Sequence, residues 1–130
     1  VVDEPSSKGT GNEVDMEQIL NWNPSVVVFA PGSIYATVGS NENWKTIPAI
    51  KDGKYYEVPM GPYNWMGFPP SVQRILGMQW MAKVLYPEAA DYHMFETTQT
   101  YFTLFYHWDL TAEEYSALVA NSLPGVEMAA

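Results

Sequence analysis

Residues 15–30, Asp-Met-Glu-Gln-Ile-Leu-Asn-Trp-Asn-Pro-Ser-Val-Val-Val-Phe-Ala, constrain the fold of this chain more than any other stretch. Asp15 can accept from the free N–H groups of a first helical turn. Gln18, three residues on, can reach back to the Asp15 N–H, which makes a capping box. Asn23-Pro24 ends that helix, because proline disfavours helical geometry in the residue before it. Val26 to Phe29 are β-branched or aromatic without polar alternation, the pattern of a strand covered on both faces. A short helix running into a buried strand is the building unit of parallel α/β sheets.

The rest of the chain supplies one further strand and several helices. Residues 1–14 are polar and read as an extended or loop segment. Gly9-Thr-Gly11 is no dinucleotide fingerprint, since no strand precedes it and Val14 occupies the place of the third glycine. Pro31-Gly32-Ser33 makes a sharp exit from the first strand. Trp44 to Ile50 reads as a helical turn interrupted at Pro48, and Lys51-Asp52-Gly53-Lys54 as a tight reversal. Tyr55 to Val58 is the second strand. Residues 59–70 carry Pro59, Pro62, Pro69 and Pro70 and form a stiff loop. A helix follows over 71–86, apolar on nearly all sides and therefore central, with Trp80, Met78 and Met81 in its core; Pro87 ends it. A second helix lies within 89–107, and Thr111-x-x-Glu114 is a capping box opening a third. The tail from 124 to 130 reads as frayed. The expected architecture is a three-layer α/β/α lobe over 15–123, with a small, mainly parallel sheet and a helical C-terminal end.

Bulk properties exclude several classes. The 130 residues suffice for one domain, and 47% apolar with 15% aromatic residues is a globular composition. No stretch approaches the roughly 20 apolar residues of a membrane-spanning helix; no basic–apolar leader opens these residues, so the signal of an exported protein is expected to lie outside them. Without cysteine there are no disulfides and no thiolate metal sites. A net charge of −9, from 15 acids and 6 bases, argues against a nucleic-acid partner, which needs a basic face.

In open α/β sheets ligands gather beyond the carboxyl ends of the strands. Two loops leave such ends, from Ala30 to Thr37 and from Met60 to Phe68. Tyr35 on the first, with Tyr63, Asn64, Trp65 and Met66 on the second, are the candidate ligand contacts, since aromatic rings offer large rigid surface with a polar handle. The alternative is that Trp65 and Phe68 pin a proline-rich loop to the domain. Arg74, the sole arginine, stands at the start of the 71–86 helix and could grip an oxyanion or carboxylate, or pair with one of the many acids. Glu17 suits the positive end of the first helix. His93 and Glu96 are three apart, a spacing that permits a shared metal, but a surface pair is the plainer reading. No catalytic constellation and no cofactor-binding loop is present.

Five motifs together resemble a known family: Asp15-x-Glu17-Gln18-Ile19-Leu20-x-Trp22-x-Pro24, Trp44-x-x-Ile47-Pro48-Ala49-Ile50-Lys51-Asp52-Gly53-Lys54-Tyr55-Tyr56-x-Val58-Pro59, Pro69-Pro70-Ser71-Val72-x-Arg74-Ile75-Leu76-Gly77, Leu85-Tyr86-Pro87-Glu88 and Leu110-Thr111-x-Glu113-Glu114. Over residues 13–119 the chain resembles the C-terminal lobe of the substrate-binding proteins of ABC importers for ferric siderophores, cobalamin and related metal compounds. The resemblance implies half of a two-lobed, extracytoplasmic receptor that binds without catalysis. The N-terminal lobe and bridging helix would be missing, and the apolar surface so exposed could drive self-association. It tips Tyr35, Tyr63, Asn64, Trp65 and Met66 toward ligand contact. It also implies that Glu17 faces an ABC permease and pairs with arginine there. A metal chelate is the expected ligand, with a molybdate-type oxyanion as the alternative. A non-transport enzyme lobe of the nitrogenase kind is the competing class, and it would need cluster-ligating cysteines.

Overall fold

The computed structural model describes residues 12–123. The expectations for residues 1–11 and for the 124–130 tail lie outside the described residues, while residues 12–14 carry no regular structure. In chain order the elements are α1 (Met16–Trp22), β1 (Val27–Phe29), α2 (Tyr35–Val38), a 3₁₀ turn (Trp44–Thr46), α3 (Pro48–Lys51), β2 (Tyr55–Glu57), α4 (Arg74–Leu85), α5 (Met94–Tyr106) and α6 (Ala112–Leu118).

Local chemistry accounts for most boundaries. The Asp15 carboxylate accepts from the Gln18 N–H at 2.8 Å and the Gln18 side chain accepts from the Asp15 N–H at 3.0 Å, the reciprocal box expected from sequence. Asn23 closes α1 in the left-handed conformation (φ 44°), donating its N–H to the carbonyls of Ile19 and Leu20. Thr111 and Glu114 form the second capping box, at the start of α6. Hydrogen bonds from the Thr111 backbone and hydroxyl hold the Glu114 carboxyl below the usual carboxylate range. A depressed folded-state pKa means that this cap supports α6 above the unfolded pKa and is lost as pH falls through the folded one.

β1 and β2 pair in parallel, with Val27 opposite Tyr55, Val28 opposite Tyr56 and Phe29 opposite Glu57. The period of two then sorts side chains into layers. Val27, Phe29 and Tyr55 join Met16, Ile19, Val38, Ile47, Ala49 and Ile50 on one face. Val26, Val28 and Tyr56 join Trp65, Leu76, Trp80, Met94, Phe102 and Tyr115 on the other. A strand with no polar alternation is thus covered on both sides, and the expected α/β/α layering follows, with α1–α3 in one outer layer and α4–α6 in the other.

The helical turn Trp44–Thr46 is broken, as expected, at Ile47, which is extended ahead of Pro48; Pro48 then opens α3 as its first residue, where its missing N–H has no intrahelical acceptor to lose. Two expectations about the next long helix need correction. The 71–86 helix is shorter, because residues 71–73 form a tight turn in which the N–H groups of Arg74 and Ile75 bond Ser71 and Val72 three residues back. That helix is also not buried on all sides. Leu76, Gly77, Trp80 and Val84 face the core, whereas Met78 is 63% exposed and Ile75 45%. Met78 therefore leaves the expected core set; two residues from either Leu76 or Trp80, it sits on the opposite side of the helix. With Leu104 and Phe105 of α5, Ile75 forms the walls of a shallow groove of about 490 Å³ between α4 and α5.

Candidate ligand-binding site

The carboxyl ends of both strands are joined by Glu57. The Gly32 N–H donates to its Oε1 at 2.9 Å, and Asn121 Nδ2 donates to its Oε2 at 3.1 Å. The Glu57 N–H in turn donates to the Asn121 carbonyl at 2.8 Å, and the Val58 N–H to the Phe29 carbonyl at 2.9 Å. Gly32 adopts φ 70°, which turns its N–H toward the carboxylate in a conformation that side chains disfavour. One acid at the last position of β2 thereby fixes the loop leaving β1 and the segment after α6. Its position at a strand end was the available signal for it, and the sequence reading passed over it.

The loop of residues 59–68 stands above the same strand ends. Asn64 organises its tip: Oδ1 accepts from the Met66 N–H at 2.9 Å and the Gly67 N–H at 2.7 Å, an Asx-type turn. Met60 and Asn64 form an isolated antiparallel bridge, and the Gly61–Pro62 and Phe68–Pro69 bonds are cis. The outer surface consists of Met60, Tyr63 and Phe68, at 54%, 49% and 68% exposure. Trp65 points the other way. It has no exposed surface, lies in the core with Leu76 and Trp80, and its Nε1 donates to the Gly61 carbonyl at 3.2 Å. The expectation that Trp65 touches ligand is corrected accordingly: an indole with no accessible atom holds the loop in place, and the pinning alternative describes it.

Behind the loop sits a residue that no motif or spacing singles out. Gln73 is fully buried. Its Oε1 accepts from the Tyr63 N–H and from the Tyr106 hydroxyl, each at 3.2 Å, and its Nε2 donates to the same Gly61 carbonyl that Trp65 reaches. Next to it Arg74 is exposed, with Nη2 3.4 Å from the Gly67 carbonyl. The acid pairing considered for Arg74 is not seen; among the described residues the recorded ion pair is Lys45 with Glu42. Gly77, one turn further along α4, packs directly under the loop, where an added Cβ would lie 2.1 Å from the Trp65 carbonyl oxygen.

The structure therefore brings Tyr63, Asn64, Met66 and Arg74 into one loop–helix unit. Tyr35 belongs to the opposite layer, tilted against Tyr55 with ring centroids 5.4 Å apart and edge-on to Phe29 at 6.3 Å. Burial first, then the neighbouring Tyr55, Glu57 and Tyr56, push its phenol above the ordinary value. It stays protonated at neutral pH, able to donate as well as accept. Glu17 is exposed in the first turn of α1, away from this unit in sequence and layer. Among the described residues no group of three or more His, Asp or Glu is placed to hold a metal, His93 and Glu96 included.

Comparison with known proteins gives this geometry a context. The chain superimposes on an ABC transporter solute-binding protein from Sulfurospirillum deleyianum with a TM-score of 0.78 and 33% identity, over 83% of this chain and 33% of that one. It superimposes on a periplasmic solute-binding protein from Veillonella parvula with a TM-score of 0.77 and 28% identity, over 88% of this chain and 36% of that one. The chain has the fold of a solute-binding protein lobe. In sequence it is 30% identical, over 97 residues, to the molybdate-binding protein MolA of Haemophilus influenzae, which spans 72% of this chain and 27% of that protein. No protein-family model matches. The chain thus spans about a quarter to a third of the proteins it resembles. These similarities support the solute-binding fold without singling out the siderophore or cobalamin type. No helix among the described residues is long and apolar enough to cross a membrane.

Proposed function

We propose that this chain is a lobe of the extracytoplasmic solute-binding component of an ABC importer, and that its solute is an oxyanion of the molybdate type. The observation that carries the reading is the joint match in fold and sequence to a transporter solute-binding protein, a TM-score of 0.78 at 33% identity. The relation to a molybdate-binding protein at 30% identity moves the oxyanion ahead of the metal chelate. Metal-chelate binding is the second reading, favoured by the exposed apolar surface of Met60, Tyr63 and Phe68, which suits a bulky organic ligand. Either role asks for binding and release and for no chemistry on the solute.

The electrostatics define what such a site has to do. A chain of net charge −9 does not steer an anion toward itself over long range. Retention must come from short-range donors, and the Arg74 guanidinium, beside the loop of Tyr63 and Asn64, is the cation placed to supply them. The decisive measurement is a thermal-shift and calorimetric screen of the full gene product against molybdate, a ferric siderophore, a corrinoid and haem. Molybdate is expected to raise Tm, by about 2.7 kcal/mol of stabilisation at a hundredfold excess over Kd. A response to the organic chelates alone would favour the second reading, and no response to any of them would end the transport reading.

Docking to an arginine-bearing permease is assigned to Glu17, which is exposed at the start of α1. The Asp15–Gln18 box already caps that helix, so Glu17→Ala is expected to change stability by less than about 0.5 kcal/mol. Solute-stimulated ATPase activity of the reconstituted importer should nevertheless fall severalfold, with solute affinity unchanged. Undiminished stimulation would remove Glu17 from the interface.

A further inference from the structure

We propose that Gln73 is the positioning residue of the ligand-binding loop, locking the orientation of Tyr63 and tying it to the C-terminal end of α5; this rests on, and deepens, the reading of the loop as a solute site. The loop of residues 59–68 has no regular ladder to hold it beyond the isolated Met60–Asn64 bridge. Its backbone polar groups need buried partners, and Gln73 supplies three bonds from one side chain. Oε1 uses both lone pairs, one for the Tyr63 N–H and one for the Tyr106 hydroxyl, while Nε2 donates to the Gly61 carbonyl. These partners fix which way the amide points, since two donors face its oxygen and a carbonyl faces its nitrogen. The arrangement bridges residue 61, residue 63 and residue 106 through a side chain with no exposed surface. Tyr63, half exposed directly above, inherits its orientation from a bond that ends on Gln73.

The geometry makes glutamate a discriminating replacement. Gln73→Glu is isosteric and keeps an acceptor for Tyr63 and Tyr106, but it sets a carboxylate oxygen against the Gly61 carbonyl. Burial favours the neutral form of that carboxyl and raises its pKa. Once protonated, it donates to Gly61 as the amide does. A residue that acts only by filling space would carry the same buried-charge cost and the same recovery, so the discriminating readout is where protection is lost, in the loop alone or throughout the packed helices.

Hydrogen exchange of the 130-residue chain, corrected for intrinsic rates, tests this without a ligand. At pH 7, protection of residues 61–67 in Gln73→Glu is expected to fall about tenfold relative to wild type, the loss of one buried hydrogen bond. Protection in α5 and α6 should hold, and at pH 5 the loop should return to near the wild-type value. Unchanged loop protection at pH 7 would overturn the proposal, as would a loss at pH 7 shared equally by the helices. If this variant does not fold, Tyr106→Phe removes one donor and leaves the Gly61 bond. A smaller loss confined to the same loop is then expected, and none there would also overturn the proposal. In the full gene product, molybdate affinity of Gln73→Glu should fall at pH 7 and recover at pH 5, with wild type as the control for every other titrating group. Equal affinity at pH 7 would again count against Gln73. If wild type binds no molybdate, the solute reading fails, and the exchange data alone decide the role of Gln73.

Discussion

Gly77→Ala is expected to lower the stability of this domain by about 3 kcal/mol, against the ordinary rule for a glycine in the middle of a helix. On a free helix surface the same change gains about 1 kcal/mol, because alanine restricts the unfolded chain and glycine does not. Here the new methyl would lie 2.1 Å from the Trp65 carbonyl oxygen and 2.7 Å from Met66 Sδ. The sulfur can move, but the carbonyl belongs to the loop backbone, held by Trp65 in the core and by Gln73 below. Relief therefore requires α4 and the loop to separate, which opens the core between them. For a domain of this size the loss corresponds to roughly 10 °C in Tm, read by far-UV circular dichroism. An unchanged or raised Tm would show that α4 and the loop are not packed as described. Because the loop carries Tyr63 and Asn64, solute binding should weaken along with stability.

Trp80→Ala should cost more. The ring is fully buried between the helical layer and the sheet, among Val58, Leu76, Val84, Met94 and Tyr115. Truncating a buried tryptophan typically costs about 3–5 kcal/mol in lost burial and cavity. Trp80 Nε1 also donates to the Ser122 carbonyl at 2.5 Å, which fastens the segment after α6 onto α4. Losing that partner leaves a buried acceptor unsatisfied, a further cost of about 1–3 kcal/mol. Domains of this kind hold about 5–15 kcal/mol in total. The expected result is a chain without a cooperative urea transition, and Trp80→Phe, which keeps most of the packing and loses the bond, should fall between it and wild type. A cooperative midpoint within about 0.3 M of wild type for Trp80→Ala would contradict the packing described here.

The two substitutions act on different parts of the same arrangement. Trp80 holds the helical layer to the sheet and to the chain after α6. Gly77 lets that layer come close enough to the 59–68 loop for Trp65 and Gln73 to fix it. Glu57 then ties Asn121 and Gly32 together at the strand ends, so that the loop leaving β1 shares a frame with the 59–68 loop that follows β2. Rigidity at the site thus originates in buried residues that no solute would touch.

Legibility from sequence followed the range of the forces involved. Both capping boxes, the Asn23-Pro24 stop, the Asp52-Gly53 reversal and the parallel pairing of two apolar segments are set by chemistry within a few residues, or by a hydrophobic pattern with one period. They were readable from residue identities. The expected positions of Tyr63, Asn64, Met66 and Arg74 beside one another also followed, because one loop and the helix after it carry all four.

What the sequence could not settle was which side of an element faces inward when apolar residues lie on both. Met78 and Trp80 are indistinguishable by composition, and only the docking of α4 on the sheet buries one and leaves the other outside. The same holds for Trp65, whose indole could have faced a ligand or the core, and for Gln73, a polar residue at a helix start that reads as solvated until the 59–68 loop brings Gly61 and Tyr63, and the end of α5 brings Tyr106, around it. Residue identity determined the elements and their ends, because caps, turns and periodicity act locally. Tertiary structure decided which side chains present a surface and which hold it, because burial depends on what the rest of the chain places opposite.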